Sequence, residues 1–204
     1  MRKTSLAAWL IGAIVSIPAT VIADANDGEF MGYRLNDRYP MTEATRSGPS
    51  LSGNLVVIAE NPVLPGDMGM VRLTTTLETH TIGFIEASQD FSDESAARDF
   101  ARKYYNLLHA KYPDWRIDTG KIQLNEKTLM PTALNMDRWP HTIRMKLTET
   151  EATDGRPFRV SLTLRYLFDS PERKAWNKLA RAEQSDQQQA DQEKLIENAD
   201  TRGL

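Results

Sequence analysis

Residues 141–168 read HTIRMKLTETEATDGRPFRVSLTLRYLF. Ile143, Met145 and Leu147 alternate with Arg144, Lys146 and Thr148. Beyond Asp154-Gly155, Phe158, Val160, Leu162, Leu164, Tyr166 and Phe168 alternate with Arg159, Ser161, Thr163 and Arg165. Side chains along a strand point to opposite faces with period two. Asp-Gly between two such runs is a hairpin turn signal. The stretch therefore reads as an antiparallel hairpin with one face packed and one face in water.

Upstream, Leu55 to Ala59 (LVVIA) reads as a short buried strand. Met70 to Leu77 alternates with period two. Thr81 to Ala87 is a further strand, with Ile82 and Phe84 expected to share a face, and Glu78 to His80 is the link of a second hairpin. A helix follows. Ser92 reads as its N-cap, and Asp93 and Glu94 sit where carboxylates favour the helix dipole. Ala97, Phe100, Ala101, Tyr104, Leu107 and Leu108 recur at three and four and form one apolar stripe, and Pro113 ends the helix. Trp115 to Leu124 reads as a strand, and Asn125 to His141, holding Pro131 and Pro140, as irregular chain.

Downstream, Ser170-Pro171-Glu172 is a cap with proline at the first helical position. Trp176, Leu179 and Ala180 are docking candidates. Beyond Ala182 the chain is nearly all polar, with Leu195 and Ile196 its only large apolar residues before the terminal Leu204. The order of elements lacks the strand–helix alternation of a parallel sheet. The fold class expected is α+β: a small antiparallel sheet of about six strands, one amphipathic helix packed on one face, and a polar C-terminal helix. In domain terms, residues 54–169 form the antiparallel domain and 170–204 a polar helical tail.

The N-terminus reads differently. Arg2 and Lys3 precede an uncharged, mostly apolar run from Leu6 to Ile17, Pro18 breaks it, and small residues follow at Ala23 and Ala25. That is the order of a secretory signal peptide. Residues 1–23 are expected to be a leader cleaved near Ala23 or Ala25, which gives a periplasmic or secreted product of a bacterial envelope. The mature chain carries no transmembrane span by this reading. Residues 24–53, rich in Gly, Asp, Asn, Ser and Pro, read as an extended N-terminal arm, with Arg46-Ser47-Gly48-Pro49-Ser50 as loop. The Gly28 to Tyr33 cluster within the arm is a candidate edge strand or groove plug.

Composition narrows the chemistry. The chain has 204 residues, 25 Lys+Arg, 28 Asp+Glu, three His and no Cys. Without cysteine there are no disulfides, thiolate metal sites or cysteine nucleophiles. A net charge of -3, or -5 once Arg2 and Lys3 leave with the leader, argues against nucleic acid as a partner. His80, His109 and His141 share no metal-ligand spacing, no Gly-x-Ser-x-Gly is present, and no glycine-rich loop joins a strand to a helix. No metal and no cofactor is expected.

One positive feature stands out. Arg144, Lys146, Arg159 and Arg165 fall on the polar face of the late hairpin, with Arg156 at its turn, and cross-strand neighbours on one face cluster. Trp139 and His141 flank Pro140 on a loop, where an aromatic can line a pocket. The function expected is an exported, non-enzymatic binding or interaction module. Its partner is another envelope protein or a small anionic ligand. The alternatives are a hydrolase or isomerase with a site assembled near Trp139 and His141, or an inhibitor or chaperone of another envelope protein.

Overall fold

The late hairpin forms the middle of the sheet. β9 (His141–Glu149) and β10 (Phe158–Tyr166) pair antiparallel over their whole length, with Leu162 opposite Met145 and Leu164 opposite Ile143. The computed structural model describes residues 25–43, 45–50, 52–60, 62, 64, 67–118, 133–149 and 155–202. The leader, Asp154 of the hairpin turn, Gly120, Ile122, Leu124 and Pro131 lie outside the described residues.

The remaining strands are β1 (Glu29–Phe30), β2 (Tyr33–Arg34), β3 (Ser47–Pro49), β4 (Leu55–Ile58), β5 (Met70–Thr75), β6 (Ile82–Phe91), β7 (Arg116–Asp118) and β8 (Ala133–Arg138). Among the described residues the main sheet has eight antiparallel strands in the order β3-β4-β5-β6-β10-β9-β8-β7, and β1 and β2 pair separately. The sheet is thus wider than the six strands expected. Both additions came from stretches read as irregular. Ser47–Pro49 adds an edge strand beside β4, where a proline without N–H is tolerated. Ala133–Arg138 lies between two prolines yet pairs with β9, setting Leu134 on Met145 and Met136 on Ile143.

Helix α1 (Glu94–Lys111) lies on one face and buries Ala97, Phe100, Ala101, Tyr104 and Leu108. Its cap is Asp93, one residue beyond the expected Ser92: the Asp93 carboxylate accepts from the Ala96 N–H at 2.8 Å. The same face is closed by residues 25–39, which supply the buried Ala25, Phe30, Met31, Leu35 and Tyr39. The segment read as an arm therefore contributes to the core. Its β1–β2 turn places Met31 and Gly32 at positive φ (53° and 84°), as a two-residue hairpin turn requires. The core is one cluster spanning β4 to β10, α1 and this segment.

Helix α2 (Pro171–Arg202) docks on the opposite face, so the sheet is covered on both sides at this end. A register shift at Thr74/Thr75 breaks the alternation of β6. Ile82 and Ile85 stay in the core, while Phe84 turns toward α2. The expectation that Ile82 and Phe84 share a face fails for this reason. Trp176 meets Phe84 edge-on at 5.6 Å and donates its indole N–H to the Thr81 carbonyl at 2.9 Å. It rests on bare backbone: a Cβ on Gly83 would sit 2.1 Å from the indole. Phe168, expected to continue the β10 alternation, lies past the strand end and is 86% exposed.

Docking of α2 extends beyond the apolar residues. Glu183 is buried, and its carboxylate accepts from the Glu78 N–H (2.6 Å) and the Thr79 hydroxyl (2.7 Å). Gln184 donates to the Ser52 carbonyl and to Asn54 Oδ1. From 185 to 197 the helix is exposed except for half-buried Ala190. Among the described side chains, docking on the sheet thus reaches Gln184, two residues beyond what the apolar pattern indicates. Deletion after Ala182 is expected to cost about 1.5–3 kcal/mol, the scale of hydrogen bonds to a charged group, whereas deletion after Ala190 should change stability by about 0.5 kcal/mol or less. Denaturant titrations of the two truncations check this.

Glu183 also makes stability depend on pH. Burial pushes its carboxyl upward, but the hydrogen bonds from Glu78 and Thr79 outweigh burial and hold it below its ordinary value of 4.5. A carboxyl depressed in the folded state stabilises the fold above its unfolded pKa, and that contribution is lost as pH falls through the folded pKa. Melting temperature should therefore fall below about pH 4.5. Glu183→Gln should flatten part of that slope, and an unaltered slope would contradict the assignment. Among the described residues no helix is long and apolar enough to cross a membrane.

Candidate functional site

The face of the sheet turned away from α1 carries charge on nearly every strand. Much of it is internally neutralised. Arg159 holds Asp90, its cross-strand partner, through two hydrogen bonds of 2.6 and 2.9 Å. This pairing, with burial opposing it, keeps the Asp90 carboxyl below its ordinary value. Arg72 pairs with Glu86 (3.8 Å) and Arg116 with Asp137 (3.5 Å).

Four cations on this face have no such partner. Among the described residues, Arg144, Lys146, Arg165 and Arg173 take part in no ion pair. The register explains how the first three align. Arg144 lies opposite Thr163, Arg165 two residues further along the same strand, and Lys146 two residues from Arg144 on its own strand. Arg144 and Arg165 are diagonal neighbours, about 7–8 Å apart at Cα and within reach of long side chains, whereas Lys146 lies four positions along the strands from Arg165. Arg165 lies opposite Phe84 on its other side. Arg173 comes down from the first turn of α2, with its guanidinium 4.1 Å over the Phe84 ring and 5.1 Å from that of Trp176.

The cluster is partly withdrawn from water. Arg144 and Arg165 are half-buried, and Lys146 is exposed. Arg144 Nε and Arg173 Nη1 are buried donors without an acceptor. Burial, and then Arg144, push Arg165 below its ordinary value, with Asp137 opposing. Burial, and then Arg165, bring Arg173 down to about 10. At about 10, Arg173 still carries its charge at neutral pH. Like charges with unmet donors in a partly dry site are arranged to receive an anion, because hydrogen bonds to an ionised acceptor are the strong ones. A buried donor left unpaired costs about 1–3 kcal/mol.

The expected site residues thus divide three ways. Arg144, Lys146 and Arg165 share one face in a row, with Arg144 between the other two. Arg159 lies on the same face but is engaged by Asp90. Trp139 and His141 are elsewhere. Trp139 precedes a cis proline at the β8–β9 turn and is 58% exposed. His141 belongs to the core face, where its ring stacks on Tyr166 at 5.1 Å and lies against Gly28. Burial pushes its pKa below the ordinary value, with Glu172 and Asp27 opposing. The two residues flank one turn, with Trp139 exposed and His141 buried. Arg173 and Phe84 were missed. The available signal was the Arg173-x-x-Trp176 spacing, which places the cation beside the docking indole on one helix face.

No protein-family model, curated protein or solved structure matches this chain.

Proposed function

We propose that the chain is an exported, non-enzymatic binding module of the bacterial envelope that holds an anionic group against Arg144, Lys146, Arg165 and Arg173. The anion belongs to a small ligand or to an acidic surface of another envelope protein. The observation that carries this reading is the unpaired charge. On a chain of net charge -3 the neighbouring arginines find carboxylates, and these four cations do not. Two of them also bury donors with nothing to accept from them. Export rests on the leader pattern of residues 1–23. Cleavage after Ala23 retains Ala25, which is fully buried and donates its N–H to the Tyr112 hydroxyl at 3.1 Å, whereas cleavage after Ala25 discards both. N-terminal sequencing of protein from its host should therefore begin at Asp24. An N-terminus at Met1 on membrane-bound material would overturn export.

A ligand that binds only the folded state raises stability by RT ln(1 + [L]/Kd), about 2.7 kcal/mol at a hundredfold excess over Kd. Titrating the mature protein with phosphate, against chloride at equal ionic strength, should raise Tm by several degrees. The double variant Arg144→Gln/Arg165→Gln should lose that response. An equal response in wild type and variant would show that the patch is only a solvated face.

A further inference from the structure

A groove of about 420 Å³ lies between the first three turns of α2 and the β3–β4 turn. Arg173, Asn177 and Arg181 recur at four-residue spacing along α2 and line it together. Its opposite wall is polar: Asn54 donates to Ser52 Oγ, and Gln184 donates to Asn54 Oδ1. Among the described residues no acidic side chain lines it. Of the two acids next to lining residues in sequence, Glu183 is committed to the Glu78–Thr79 turn, and Glu172 acts on His141 and Tyr166. Stacking on Phe84 fixes the plane of the Arg173 guanidinium, and its Nη1 is buried without an acceptor. A planar fork held in place this way suits a carboxylate or phosphate oxygen pair.

We infer that this groove is a ligand site for an elongated dianion, with one anionic group on Arg173, the other on Arg181, and Asn177 bonding between them. The inference rests on the anion-binding reading above and narrows the ligand at one end of the same face. Eight helical residues rise about 12 Å, which sets the separation of the two anchors. Two chemistries match that separation. One is an aliphatic α,ω-dicarboxylate. The other is an extended peptide with acidic side chains four residues apart, which spans about 13 Å and sets both acids on one side. Both offer two carboxylates about a nanometre apart, and a single compact anion reaches only one anchor.

The test is calorimetric titration of the full mature chain with three probes. These are an α,ω-dicarboxylate series from succinate to sebacate, a five-residue peptide with glutamates at its ends, and inorganic phosphate. Affinity should rise about tenfold from succinate to the long diacids. Arg181→Gln, at an exposed position, should remove that gain while leaving the phosphate response unchanged. Arg144→Gln should weaken phosphate and spare the gain with length. Tighter binding of the peptide than of any free diacid assigns the groove to a protein segment, and the reverse order to a small molecule. Affinity that is flat across the series, or indifferent to Arg181→Gln, overturns the groove site. If phosphate still binds through Arg144 in that case, the reading of the sheet face survives. If the long diacids bind through Arg181 and phosphate does not bind, the sheet-face reading fails and the groove stands.

Discussion

Phe100→Ala is expected to lower folding stability by about 3–5 kcal/mol, the range for a buried aromatic cut back to alanine. Phe100 sits in the middle of the α1 stripe and is 8% exposed. Its ring centroid lies 4.6 Å from that of Tyr104 and 5.0 Å from that of Phe91, so one truncation loosens helix–sheet contact on two sides. Little can collapse into the space, because Tyr104 is tied by its hydroxyl to Asp67 at 2.6 Å. Equilibrium unfolding in urea measures the loss. A variant that melts within a degree or two of wild type would mean that α1 does not pack on β6 and β10 through this face.

Trp176→Ala is the second large effect, also about 3–5 kcal/mol if α2 and the sheet unfold together. The indole is the only large aromatic through which α2 docks among the described residues, and it fills the notch above Gly83. Its loss also removes one of two donors to the Thr81 carbonyl, the Thr76 N–H at 3.1 Å being the other, and takes away one wall of the Arg173 stack. Two readouts are expected to move together: global stability falls, and amide exchange in the first three turns of α2 accelerates. Fast exchange with unchanged global stability would mean that α2 is a separate, dispensable unit. Unchanged exchange would mean that the Glu183 clamp alone holds the helix.

Legibility in the sequence followed the strength of each periodic signal. The β9–β10 hairpin was plain because its alternation is unbroken from Phe158 to Tyr166, and α1 because its stripe covers five buried positions. β8 escaped because only Leu134 and Met136 mark its buried face and prolines stand on both sides of it; its pairing comes from β9, a tertiary effect no local window contains. β6 was cut short at Ala87 because Ser88, Gln89 and Asp90 interrupt its apolar alternation, although Ser88 is buried and Phe91 packs on Phe100. The end of α2 docking was missed for a different reason. Glu183 reads as a solvated charge, and only the fold brings the Glu78–Thr79 amides to it. The candidate site shows the same limit. Period two placed Arg144, Lys146 and Arg165 on one face, but neither the removal of Arg159 by Asp90 nor the arrival of Arg173 from another element is written in any spacing.

The proposed function requires an anion to seat among Arg144, Arg165 and Arg173. Its most direct measurement is nitrogen–proton NMR of the arginine Nε–Hε groups in the mature protein, titrated with phosphate at constant ionic strength. Saturable shifts are expected, confined to Arg144, Arg165 and Arg173, with slowed exchange of the Arg144 Nε proton once it gains an acceptor, while Arg159, already bound to Asp90, stays still. Shifts spread evenly over all arginines, or none that saturate, would contradict it.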